Sequence, residues 1–81
     1  MLYVQTADAL NVLQKELPKE YRSRLEKVDL IQGARNRRIK GCRQGHDGKR
    51  FYWAYPRQVL TRDLAFSLLQ QKVKLAGITI A

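Results

Sequence analysis

Few side chains in this sequence could make or break a bond. It has one cysteine, Cys42, and one histidine, His46. On an extended strand, four residues at about 3.3 Å each would hold them about 13 Å apart, too far for a thiol to share a proton with a general base. One Cys and one His cannot supply the roughly four ligands of a zinc site, and no residue pattern calls for a metal or any other cofactor. A lone cysteine also excludes an intramolecular disulfide. A second arrangement is a small ribonuclease, with His46 doing acid–base work while Arg43, Lys49 and Arg50 steady a phosphate and Tyr52 assists. His46 precedes Asp47-Gly48, however, a turn dipeptide, where a solvated histidine is the ordinary outcome. The expectation is therefore a protein that binds and does not catalyse.

What the sequence does concentrate is positive charge. Sixteen Lys and Arg face seven Asp and Glu over 81 residues, a formal net charge of +9 and a pI near 10.2. Between Arg35 and Arg50 seven cations meet one acid, so this window alone carries +6. A basic balance of this size is the electrostatic footprint of a polyanion binder. Five of the seven cations are arginines, whose planar guanidinium forks bind phosphate oxygens in pairs and stack on bases, whereas lysine acts as a point charge. The candidate phosphate contacts are Arg35, Arg37, Arg38, Lys40, Arg43, Lys49 and Arg50, with Tyr52 as a stacking partner and Arg57 and Arg62 extending the patch. Nucleic-acid binding follows as the expected function. DNA is slightly favoured over RNA, because a two-stranded ribbon can enter a groove or follow a phosphate track. The alternative is a small regulatory module whose basic face docks an acidic protein partner, with an apolar helix stripe turned to a second copy in a homodimer.

These residues need elements to position them. "MLYVQ" alternates as a short strand, and "TADALNVLQKEL" follows with Leu10, Leu13 and Leu17 at helical spacing, Thr6 as N-cap and Asp8 in the first turn. Pro18 ends that helix and opens another, in which Tyr21, Leu25, Val28 and Ile31 line one face until Gly33. The period then drops to two. "RIKGCRQ" and "RFYWAY" flank Asp47-Gly48, the dipeptide of a two-residue type I′ turn, which predicts a β-hairpin over 38–56. Helical spacing resumes through Leu60, Leu64, Leu68 and Leu69, capped by Thr61 and stopped at Gly77, before a β-prone tail, "ITIA".

A two-residue loop would set Cys42 opposite Trp53, Gln44 opposite Phe51 and Lys40 opposite Tyr55 on one side. That side is the apolar one and is expected to form core, burying Phe51 and Trp53. Arg43, Arg50 and Tyr52, with Ile39 at the base, would face outwards. The fold class is α+β: a short antiparallel sheet packed against two to three helices, as a single small basic domain over 1–81. The Pro and Gly counts are too low for a linker or low-complexity chain. With no secretory signal pattern and no apolar run of about 18 residues, no membrane partner is indicated, and a cytoplasmic location is expected.

Overall fold

A computed structural model describes residues 2–75 of the chain. Strand β1 (Tyr3–Gln5) runs directly into helix α1 (Thr6–Glu16). After a 3₁₀ turn at Lys19–Arg24 comes α2 (Lys27–Arg35), then the hairpin strands β2 (Arg43–His46) and β3 (Phe51–Pro56). A second 3₁₀ turn, Arg57–Val59, leads to α3 (Arg62–Leu75). The three strands form one antiparallel sheet in the order β1-β3-β2, giving the α+β architecture that the change of period implies. The stop at Gly77 and the strand over 78–81 lie outside the described residues.

The core lies where the three helices meet the β1–β3 side of the sheet. Leu13 and Ala9 of α1, Leu30 of α2, Tyr55 of β3 and Leu68 and Ala65 of α3 are all buried in it. Each fully buried leucine contributes about 1.5–3 kcal/mol over leaving it in water. Gly33 allows the closest approach: a Cβ there would lie 3.0 Å from both Ile39 Cδ1 and Leu68 Cδ2, so α2, α3 and the segment after α2 pack against a bare backbone.

Four expectations are corrected by this arrangement. Gln5, not Thr6, occupies the N-cap of α1; the Thr6 hydroxyl instead donates to the Tyr55 hydroxyl at 3.2 Å. The helix expected from Pro18 to Gly33 is broken. Leu25, only 1% exposed, is drawn into the core on extended backbone. The chain restarts as α2 with the Asp29 carboxylate accepting the Glu26 N–H at 2.8 Å. Tyr21 and Val28 stay exposed, and Leu30, Gly33 and Ala34 form the buried face of α2.

The third correction is to the hairpin, whose first strand begins at Arg43 and not at 38, because the chain is still turning out of α2. Ile39, expected on the outer face, is in that turning segment and is buried. The register also differs: Gln44 pairs with Trp53, Gly45 with Tyr52 and His46 with Phe51. A slip of two residues changes every partner but keeps each side chain on its expected face, since the side-chain period is two. The cause is the loop. The Asp47 carboxylate accepts the N–H groups of both Lys49 and Arg50 at 2.9 Å, and the Asp47 N–H bonds the Arg50 carbonyl at 3.2 Å. Residues 47–50 thus close a four-residue loop, with Gly48 alone at positive φ, +96°.

Fourthly, the apolar face of the hairpin is graded. Tyr55 at its base is fully buried and Trp53 is half-buried, but Phe51 is 67% exposed. Helix α1 packs on β1 and β3, and no helix packs extensively on β2. The far half of the ribbon therefore stands beyond the core, with both faces accessible.

Candidate nucleic-acid interface

The three arginines after Gly33 are displayed by the way α2 ends. Arg35 lies in its last turn and Asn36 is the C-cap. Arg37 adopts the left-handed conformation, φ 59°. Its N–H bonds the Ala34 carbonyl at 3.2 Å, and the Arg38 N–H bonds that of Gly33 at 2.9 Å. This is a Schellman motif, in which the left-handed position is normally glycine. Ile39 then plunges into the core, so Arg37, Arg38 and Lys40 spread around a buried anchor.

These side chains border adjoining shallow hollows. Arg38 and Lys40 line one with Thr61, Asp63 and Leu64 at the start of α3. Lys40 lines another with Arg37 and Cys42. Arg57 lines a third with Leu2, Gln58 and the same Thr61. The start of α3 is set by Thr61, whose hydroxyl accepts the Leu64 N–H at 3.3 Å, as its sequence position implied. Arg62 follows, its guanidinium 5.5 Å from the Phe66 ring centroid.

The outer face of the sheet carries the next group. Arg43 reaches across the small Ala54 to Tyr3, with its guanidinium carbon 5.2 Å from the ring centroid. Tyr52 lies over Gly45, where a Cβ would come within 2.5–2.8 Å of the ring atoms; the glycine makes room for the ring. Tyr3 and Tyr52 are half-buried and take no part in the core cluster. Lys49 and Arg50 sit farther out on the loop, at least about 10 Å along the ribbon from Arg43 at about 3.3 Å per residue. The cations thus form a base group and a tip group, where the sequence suggested one patch.

All nine basic residues singled out from the sequence, Arg35, Arg37, Arg38, Lys40, Arg43, Lys49, Arg50, Arg57 and Arg62, are exposed. Among the described residues the ion pairs are those of Lys72, to Asp29 at 3.2 Å and Glu26 at 3.7 Å, and none of the nine takes part. Asp63 borders the same hollow as Arg38 and Lys40 without pairing with either, and Asp47, the one acid between Arg35 and Arg50, turns its carboxylate to its own loop. Those backbone hydrogen bonds from Arg50 and Lys49 hold its pKa below the usual 3.8.

Cys42 is partly buried, and burial pushes its thiol up to about 11, the reverse of what an activated nucleophile needs. His46 is exposed on the ribbon, its Nδ1 accepting the Gly48 N–H at 3.1 Å. Its ring meets Phe51 edge to face, with centroids 4.7 Å apart. Sequence reasoning missed this exposed aromatic pair and the Arg43–Tyr3 contact. A signal for the first was present: the face that begins with Cys42 continues through Gln44 and His46, growing polar toward the tip.

Comparison with protein-family models, with curated proteins and with solved structures finds no match for this chain.

Proposed function

We propose that the protein binds nucleic acid through the phosphate backbone, DNA in preference to RNA. Arg37, Arg38, Lys40 and Arg57 around the base, with Arg43, Lys49 and Arg50 on the ribbon, are the principal contacts. Arg35 and Arg62 add to the field around them. One observation carries this reading: nine exposed cations, none within ion-pair distance of a carboxylate among the described residues. Free cations gain by neutralising phosphates and releasing condensed counterions, and the gain requires no particular base sequence. Tyr52 and Tyr3 on the open sheet face give sugar or base rings an aromatic surface. A ribbon standing beyond the core fits a groove without a clash from the helices.

The test is a salt series of mobility shifts on duplex DNA and duplex RNA. If about six phosphates are neutralised, duplex DNA affinity falls roughly 10³-fold between 50 and 200 mM salt. The double variant Arg43→Ala/Arg50→Ala should bind more weakly and lower the slope of log K against log salt by about 1.8, at about 0.9 per phosphate lost. Absence of duplex binding at low salt, or a slope unmoved in a folded variant, would reject the reading. An acidic protein partner predicts instead tight binding to one protein and little to bulk DNA.

A further inference from the structure

Phe51 has no packing reason to be where it is. At 67% exposed it is a large apolar side chain in water, on a strand whose next same-face residues inward, Trp53 and Tyr55, are half-buried and buried. Its surroundings are nevertheless ordered. The His46 ring holds it edge to face at 4.7 Å and 66°, His46 is tied by Nδ1 to the Gly48 N–H, and Asp47 fastens the loop through two further backbone bonds. Lys49 and Arg50 precede it directly in the chain. A fixed aromatic ring flanked by cations, at the free end of a ribbon, has the parts of a stacking platform: the π-face takes a base and the cations take the adjoining phosphates.

We infer that Phe51 stacks on an unpaired base, so that the protein prefers nucleic acid with locally unpaired bases to fully paired duplex. This rests on the nucleic-acid reading above and adds the substrate class. The ring can reach bases only where they are already unstacked, or where it is driven between them as a wedge, and unstacking costs a few kcal/mol per step. A bubble spares that cost. The cations of the base group contact phosphates in either substrate, and Tyr3 and Tyr52 are half-buried on the sheet face, so the discrimination falls chiefly to Phe51, the exposed ring at the tip, and its His46 support. Asp47 adds an anion nearby, but its Oδ1 is held by the Lys49 and Arg50 N–H groups.

Fluorescence anisotropy with a labelled duplex, and with the same duplex carrying a three-base mismatched bubble, tests this at one salt concentration. The wild type should bind the bubble more tightly. Phe51→Ala should lose about tenfold on the bubble, within the range for stacking one base on an aromatic ring, and less than twofold on the duplex, with its melting temperature unchanged. Phe51→Trp should restore the preference, since it keeps a stacking face. Equal loss on both substrates, no loss on the bubble, or no bubble preference in the wild type overturns the inference while leaving phosphate binding intact. A wild type that binds neither substrate overturns both.

Discussion

Arg37 is the residue at which local stability and display conflict. The left-handed position closing α2 costs a side chain about 1–2 kcal/mol over a right-handed conformation, and glycine would occupy it freely. Glycine also loses more entropy on folding, about 0.4–1 kcal/mol, so Arg37→Gly should raise stability by about 0.5–1 kcal/mol, read as a higher midpoint in urea. The same variant should weaken duplex binding and shallow the salt slope by about 0.9 if the guanidinium contacts one phosphate. Gain of stability with unchanged binding would remove Arg37 from the interface. Cys42 shows the opposite economy. Its thiol titrates near 11 in the folded chain against 9.0 when exposed, so its contribution to stability is present below pH 9 and is lost as pH rises towards 11.

At the scale of elements, the hairpin's loop determines more than its strands do. Because the folded-state pKa of Asp47 is depressed, the carboxylate's hold on Lys49 and Arg50 is in place above pH 3.8. It is lost as pH falls through the lower folded value. Relative to the intrinsic exchange rate, the amides of Lys49 and Arg50 should therefore lose protection as pH falls through that lower value while Leu13 and Leu30 remain protected, and Asp47→Ala should show the reduced protection already at neutral pH. Unchanged protection at those two amides would show that the loop does not depend on the carboxylate. This loop also explains what was legible beforehand. Alternation told which side chains share a face, and Asp47-Gly48 told where the chain reverses. The number of loop residues depended on which N–H groups the Asp47 side chain captured, and alternation is blind to that. Similarly, Tyr21, Leu25 and Val28 have faultless helical spacing, yet the chain breaks there because burying Leu25 on extended backbone outweighs continuing the turn. The candidate cations were legible because charge that finds no carboxylate stays in water. Their division into base and tip groups was not, since it depends on where β2 begins and on how many residues Asp47 gathers into the loop.

At the scale of the whole molecule, the ledger of charge is lopsided. With +9 on 81 residues, and Glu26 and Asp29 engaged by Lys72 beside the α2–α3 contact, copies of the protein repel one another while the body stays packed. The ribbon stands on the narrow part of that balance. The outer rim of β2 presents backbone groups that no helix packs over extensively, and a rim of this kind is a template for a neighbouring strand. Four residues and the charge of Arg43 make it a poor one, but only as long as ions leave that charge unscreened. The Debye length falls from about 10 Å at 0.1 M salt to about 3 Å at 1 M. Light scattering at fixed protein concentration should therefore rise on going to 1 M salt, and less for Gln44→Lys, which places another cation on the rim; a flat profile would show the strand to be guarded by shape. If the rise is found, the ribbon's freedom carries a colloidal consequence: whatever neutralises its cations also brings neighbouring molecules into register with one another.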